Sequence, residues 1–577
     1  MELTEYELIS TNSAFILKKD SIDYEVHIDR SINQILKRKP ERRSIVPSEK
    51  VFGIFGIIQL PSSNYLILIT KATHVCRIKN HFIYLIQDID FRAYNSISPD
   101  SSAYKSEQEI IHQLKSLILT DSFYFSYDYD LSLTMQAISG LDTKSNNIHE
   151  RADEKYFWNK YLSESLIKAE AHDFVLVVVN GFIQGESVDV KGKRLDYILL
   201  SRRDKRRTGT RFNTRGLDDQ GNAVNYVETE QIVVFLEDNL KVFSHVQIRG
   251  SIPLVWSQKP DLSWTPRPKV SNSAQQNSAS AEIHFNELYK NYGAVSMVNL
   301  IDKKGSQKMI GTVFSGLCNL MSCNNLHYTW FDFHHECKNM KYENLRLLLK
   351  DLQSLIEEFS WFESKVDPNE YFDKGIVVKK QNGVFRTNCM DCLDRTNVVQ
   401  SVIARNILLR QLHSVELGPL PTGEAFQAFS NSLESKFRDL WVRNADVMSL
   451  LYSGTPAQKT DFTKFGKRTY RGAMNDGIYS LQRFVINNFL DGSKQNTIDL
   501  MLGKLALRNG INLNWKFISL SWFLGIFLAL SVVASFFAGR SEGPFYWVKF
   551  LIALALMLNI LKAYSSFVVD KPIINTN

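Results

Sequence analysis

Residues 384–400 read V-F-R-T-N-C-M-D-C-L-D-R-T-N-V-V-Q, and this stretch decides both fold and chemistry. Val384 and Phe385 open it as a β-type pair, and Val399, Val402, Ile403 and Ile407 give the buried stripe of a helix expected to begin near Thr396. A strand that turns sharply into a helix leaves backbone N–H groups pointing into the turn, backed by the positive end of the helix dipole. Such a turn holds a tetrahedral oxyanion. Cys389 lies in it, and the same field lowers a thiol from roughly 8.5 toward the range of about 3.5 to 7.5 typical of activated cysteines. Arg395, six positions on, offers a planar fork for two phosphate oxygens, which lysine cannot. Thr396 can donate a hydrogen bond to the departing sulfur. The pattern predicts a thiolate that attacks a phosphate ester and forms a cysteinyl phosphate, with Arg395 and the loop N–H groups holding the charge.

An alkoxide leaves poorly, so the reaction needs a general acid. Asp391 and Asp394, both inside the loop, are the candidates. Asp391 is preferred, and the other reading is that one of the two braces Arg395 or the loop backbone. Met390, Cys392 and Leu393 complete the loop and are expected at the substrate. Cys389 and Cys392 also form a C-x-x-C, which raises zinc or a redox pair. The remaining cysteines, Cys76, Cys318, Cys323 and Cys337, supply no second C-x-x-C, so no metal is expected there. Cys392 is instead placed to trap an oxidised Cys389 as a disulfide. The cluster His334-His335-Glu336-Cys337 reads as extended chain, whose side chains alternate and do not converge on an ion. No cofactor is implied.

Working outward, 577 residues suggest three or four units at about 150 residues each. A net charge of +7 and a pI near 8.8 favour anionic partners, and nucleic acid, lipid headgroups and phosphorylated proteins all fit that charge. Six unevenly spaced cysteines make no disulfide framework and point to a reducing compartment. The opening MELTEYELIS has no apolar core of a signal peptide, so the bulk of the chain is expected in the cytosol. Residues 517–538 carry no charge over 22 positions, enough for the roughly 20 that cross a bilayer. A second span is expected at 545–569, with Lys549 and Lys562 snorkelling and Tyr546, Trp547 and Tyr564 at the interface. Lys504, Arg508, Lys516 and Lys571 flank this hairpin on the side expected to face the cytosol.

In chain order, β-type runs at 51–60, 65–70 and 82–87 and an amphipathic helix at 106–119 predict a β-rich unit over 1–173. The apolar run 174–179 reads as the buried strand that opens an α/β catalytic unit over 174–490. Residues 202–215 hold seven basic side chains against Asp204. A charge run is usually a solvated face. Beside a phosphatase loop and a membrane anchor, Arg202, Arg206, Arg207 and Arg211 are expected to face anionic headgroups, as are Lys459, Lys467 and Arg468 further on. Residues 271–281, S-N-S-A-Q-Q-N-S-A-S-A, read as a loop, 345–359 as a strongly amphipathic helix, 491–516 as a linker, 517–569 as the hairpin and 570–577 as a cytosolic tail.

The loop R-x-N-C-x-D-C-L-D-R-T-N stands complete over 386–397. With it go Phe157-Trp158-Asn159, Ser201-Arg202-Arg203 through Gly209-Thr210-Arg211, the run N-Y-V-E-T-E-Q at 225–231, Arg249-Gly250-Ser251-Ile252-Pro253 with Trp256, and Lys459-Thr460-Asp461-Phe462. On these blocks the chain resembles the Sac-domain (suppressor of actin) phosphoinositide phosphatases, and among them the integral-membrane branch of the endoplasmic reticulum and Golgi. The resemblance implies a β-rich Sac N-terminal subdomain, an α/β catalytic domain with a Cys-based phosphatase loop, and a two-helix transmembrane hairpin. It implies a membrane phosphoinositide as substrate, chiefly phosphatidylinositol 4-phosphate, with the 3-phosphate and 3,5-bisphosphate besides. It also implies an anionic membrane surface as partner, no nucleic acid, and a catalytic domain on the cytosolic side. Protein tyrosine phosphatases carry histidine before the nucleophile, whereas Asn388 stands here. The chain ends Ile573-Ile574-Asn575-Thr576-Asn577, without the dilysine-type retrieval signal of some relatives. A membrane-anchored tether without turnover would need neither Cys389 nor Arg395 and Thr396, and a protein phosphatase is disfavoured by Asn388 and the basic surroundings.

Overall fold

The computed structural model describes residues 6–40, 47–95, 98, 100–141, 147–236, 241–321, 325–366, 375–465, 469–505 and 571–574. The predicted hairpin, Lys467 and Arg468 lie outside these. Among the described residues no helix is long and apolar enough to cross a membrane.

Strands rich in Val, Ile and Phe build a thirteen-stranded mixed sheet. Val227–Phe235 is buried at all nine positions and Gly383–Asn388 at all six, as expected of strands covered on both faces. The main path runs Leu326–Trp330, Ala294–Asn299, Gly383–Asn388, Lys241–Arg249, Val227–Phe235, Lys193–Arg203, Val178–Val190, Phe123–Phe125, His81–Ala93, Asn64–Ile78, Gly53–Gln59. Lys241–Arg249 is where the sheet changes character: it pairs antiparallel with Val227–Phe235 and parallel with Gly383–Asn388. Ala294–Asn299 is parallel to both its neighbours. Asn299 lies opposite Asn388 and Arg249 opposite Thr387, so the carboxyl ends of the parallel strands share one edge. Ligands bind at that edge in sheets of this kind, and Cys389 is the next residue along.

A separate five-stranded antiparallel sheet lies at the N-terminus, ordered Ile35–Arg38, Glu25–Asp29, Ala14–Lys18, Tyr6–Ser10, Ser48–Val51. Its inner face, with Tyr6, Phe15, Leu17 and Val26, packs in one core with Phe157 and Phe174. The β-type runs appear as Gly53–Gln59, Asn64–Ile78 and His81–Ala93, and the first helix as Ser102–Ile118. The helix at Leu345–Phe359 also forms, burying its Leu345, Leu348, Leu349, Leu352 and Phe359 stripe.

Four readings differ from the structure. Strand Val178–Val190 shares its sheet with Gly53–Gln59, so that sheet runs through the expected boundary at 173/174. The strand begins at Val178 and not at 174, because Phe174 packs on Tyr6 (ring centroids 5.6 Å) and Asn159 takes the backbone instead. Asn159 Nδ2 donates to Leu176 O, and its Oδ1 accepts from Val178 N. The expected loop at 271–281 mostly belongs to the helix Ala274–Tyr292. Ser273 Oγ caps it through Gln276 N–H, and Asn277, which donates to Ser271 O and Ser273 O, is buried with Ser280 and Ala281. Finally, the expected linker starts as a buried helix, Asp491–Met501, whose Ile498, Leu500 and Met501 share a core with Phe55, Trp158 and Leu162.

Candidate active site

Strand Gly383–Asn388 delivers the loop and helix Asp394–Ser414 receives it, two residues earlier than expected, so Asp394 and Arg395 lie in the first helical turn. Asp394 is therefore on the favourable end of the dipole. Asn388 is fixed by donating Nδ2–H to Asn299 Oδ1 at 2.7 Å, while its carbonyl accepts from Leu300 N at 2.9 Å. Cys392 turns the chain in the left-handed region, φ 54°. That turn sends its N–H to Cys389 Sγ at 3.1 Å. The Cys392 Sγ lies 2.8 Å from Gly250 O.

Cys389 is buried, and its thiol is held well below the ordinary range. The Cys392 side chain contributes most by hydrogen bonding to the sulfur, burial opposes, and the Arg395 charge and the Thr396 hydroxyl add to the lowering. The Thr396 hydroxyl faces the sulfur without an ideal hydrogen bond. Burial and the Cys389 charge push Cys392 the other way, so the proton of the pair resides on Cys392. Arg249 lies fully buried near the thiols, its Nη2 3.2 Å from Asn397 Oδ1; burial lowers its pKa and the Cys389 thiolate opposes that.

Arg395 sits at the mouth, donating from Nη1 to Leu300 O at 3.1 Å and to Asp302 Oδ1 at 3.2 Å. Asp302 Oδ1 also lies 2.8 Å from His334 Nδ1. Burial would raise the Asp302 carboxyl, but His334 and then Arg395 hold it below its usual range, with Lys459 contributing. Lys459 follows Gln458, whose N–H reaches Asp394, so the chain runs beside the loop at this point. The histidine cluster is not extended chain: Phe333–Glu336 is a short helix that turns His334 onto Asp302 and His335 onto Glu336.

Asp391 is not the acid that the sequence favoured. Arg211 Nε and Arg215 Nη2 reach its Oδ1 at 3.0 and 2.7 Å, and Arg211 Nη2 reaches Oδ2 at 2.7 Å. Burial alone would raise this carboxyl, and the two guanidiniums outweigh it and drive it far below the usual range. It holds no proton to give near neutrality. Asp394 accepts from Gln458 N at 2.6 Å and faces Arg483 Nη1 at 3.3 Å. Close by, Asp446 accepts from Ala457 N, and burial raises it to about 6.

The basic stretch is not a headgroup-facing surface. Arg202 is fully buried, paired with Glu228 at 2.9 Å and Glu230 at 2.8 Å. Arg206 binds Asp204 and Glu287, and Arg207 donates to Arg215 O. Only Arg211 of the four reaches the loop, through Asp391. Arg215, which also donates to Met390 O at 2.9 Å, does more for the loop than any of the expected basic residues. Leu393 packs against Val224 and Tyr452 in a small core of its own, and the buried Cys392 side chain lies against Cys389. Asp302, Gln458 and Arg483 had no sequence signal, since each meets the loop only through the fold, and His334 stood out in the sequence only as part of a cluster set aside as a metal site. Next to Arg211, Gln458 and Arg483 lies a cavity of about 410 Å³, also lined by Trp264, Ser480 and Phe484.

A nucleophilic thiolate, a guanidinium and a carboxyl at the carboxyl edge of parallel strands define a phosphate-ester hydrolase. Residues 52–338 match the SacI homology domain. The chain is 35% identical over 552 residues to phosphatidylinositol-3-phosphatase SAC1-B of Danio rerio, covering 92% of this chain and 91% of that one. It is 36% identical to phosphatidylinositol-3-phosphatase SAC1 of Drosophila melanogaster (86% and 82% covered) and 34% identical to that of Saccharomyces cerevisiae (79% and 72%). The chain belongs to the Sac-domain phosphoinositide phosphatases. It is an enzyme of that kind, and its substrate is a phosphoinositide lipid.

Proposed function

We propose that the enzyme removes the phosphate of phosphatidylinositol 4-phosphate in the main, and of the 3-phosphate and 3,5-bisphosphate besides, yielding phosphatidylinositol from the monophosphates. The name of the relatives supports a 3-phosphate among the substrates. The Cys389 thiolate attacks phosphorus in line and the bond to the inositol oxygen breaks. Arg395 and the loop N–H groups take the equatorial charge, and Asp394 gives its proton to the leaving oxygen. Water, losing a proton to Asp394, then attacks the cysteinyl phosphate and releases inorganic phosphate and the thiolate. The observation that carries this reading is the Cys392 N–H at 3.1 Å from Cys389 Sγ, in a turn that keeps the thiol deprotonated.

The catalytic body is proposed to lie on the cytosolic face of endoplasmic-reticulum and Golgi membranes, held there by the hairpin at 517–569. The test is phosphate release by the full chain from a panel of phosphoinositides and phosphopeptides. Monophosphorylated inositides should turn over and phosphopeptides should not. Cys389→Ser should lose about a thousandfold or more. Near-normal release by that variant would sink the nucleophile, and binding of the lipid without turnover by the wild type would favour a tether.

A further inference from the structure

Helix Tyr470–Phe489 buries the polar Arg483, Asn487 and Asn488 and, at its end, Phe489, whereas it shows apolar side chains outward over its first part: Tyr470 (89% exposed), Met474 (56%), Ile478 (47%) and Leu481 (59%). Their spacing of four, four and three places them on one stripe, and Ala473 and Gly477, also exposed, lie on it too. No charged side chain interrupts the stripe over this run. A soluble helix hides its aliphatic face and wets its polar one; this helix does the reverse over about three turns. Trp264, 60% exposed, extends the apolar surface by meeting Phe484 edge-on with ring centroids 5.0 Å apart.

The polar face of the helix is wired to the catalytic loop. Arg483 reaches Asp394, and Gln458, which donates its N–H to Asp394, donates its side-chain amide to Asp476 O and Ser480 Oγ. The Lys459 N–H donates to Asp476 Oδ1. The stripe therefore flanks the cavity beside the loop. A phosphoinositide keeps its acyl chains in the bilayer while its headgroup is cleaved, so whatever surrounds the entrance must meet the membrane interface. Aliphatic side chains with Tyr and Trp at the edge, and with Arg471 exposed at the helix start, match the depth profile of that interface.

We propose that this outward face of Tyr470–Phe489, with Trp264, seats in the bilayer that holds the substrate and sets the catalytic loop at headgroup depth. The proposal rests on the phosphatase reading above. Its test compares the full chain with the triple variant Met474→Gln, Ile478→Gln, Leu481→Gln on two substrates: long-chain phosphatidylinositol 4-phosphate in phosphatidylcholine–phosphatidylserine vesicles, and the water-soluble dibutanoyl analogue. The vesicle rate should fall about tenfold or more while the soluble rate stays within about twofold. A parallel fall on both substrates, or no fall on either, would overturn it. Independently, benzophenone-phenylalanine placed at position 478 and irradiated with the same vesicles should attach lipid to its peptide. The same residue at position 376, exposed on a strand joined to the amino end of Lys241–Arg249 and so away from the catalytic edge, should not. Attachment at 478 to a second copy of the chain, or none to lipid, would overturn the proposal. A wild type that releases no phosphate from either substrate would instead defeat the phosphatase reading, and the crosslink would still report on the helix.

Discussion

Each carboxylate around Cys389 has a different job, and its neighbours decide which. Asp391 is a structural anion clamped by Arg211 and Arg215. Its folded pKa is depressed, so its stabilisation is fully present above the unfolded value of about 3.9 and is lost as pH falls below that. Asp391→Asn should cost about 2–4 kcal/mol in urea denaturation at pH 7, with the gap to wild type closing in acid. Asp394→Asn keeps the acceptor for Gln458 N–H and should slow release from an inositide about tenfold or more while sparing p-nitrophenyl phosphate, whose leaving group needs no proton; an equal loss on both substrates would remove Asp394 from the role. Asp446 has the opposite sign. Its folded pKa is raised to about 6, so ionising it costs stability that disappears from the balance only below the unfolded value. Asp446→Asn keeps the acceptor for Ala457 N–H and should raise stability at pH 7 by about 1–2 kcal/mol, the gain vanishing near pH 4. Cys389, Arg395 and Thr396 were legible because one short turn contains them all. Their regulators were not: Arg483 meets Asp394 from 89 positions away, Asp302 meets Arg395 from 93, and Arg215 meets Asp391 from 176.

At the level of elements, charge density misled where hydrophobic period did not. The stripe of Leu345–Phe359 translates directly into a buried face, and the β-type runs at 51–60, 65–70 and 82–87 into strands. The run 202–215 looked like a solvated cationic face because the carboxylates that neutralise it, Glu228, Glu230 and Glu287, belong to other elements. The register makes this pairing unavoidable: Arg202 lies opposite Glu228 across the antiparallel pair, with Glu230 two residues along the same strand. Removing the cation alone would strand two buried anions. Arg202→Ala should therefore lower stability by about 3–5 kcal/mol in thermal or urea denaturation. A variant that unfolds like wild type and loses only lipid affinity would restore the headgroup-facing reading. Ala274–Tyr292 was hidden for a related reason. Its small polar residues lack a hydrophobic period, and Ser273 and Asn277 spend their side chains on the backbone of the helix start.

Across the whole molecule, the catalytic edge depends on a segment that composition assigned to a linker. Asp491–Met501 buries Ile498, Leu500 and Met501 among Phe55, Trp158 and Leu162, on the sheet half farthest in sequence from it. On its other side Gln495 Oε1 accepts from Thr210 N, one residue before the Arg211 that clamps Asp391. The helix thus ties the N-terminal core to the arginines that shape the phosphate loop. Its eleven residues carry only three large aliphatic side chains at its end, so no periodicity could announce it. A chain stopped after residue 505 keeps this helix and should retain the wild-type rate on a water-soluble phosphoinositide. A chain stopped after residue 490 exposes the apolar pocket that the helix fills and leaves Thr210 N without its partner. Losing three buried side chains at about 2–4 kcal/mol each is comparable to the whole stability of a typical domain, about 5–15 kcal/mol. The shorter chain should be insoluble or unfolded by circular dichroism, and equal activity of the two truncations would show that the segment is a linker after all.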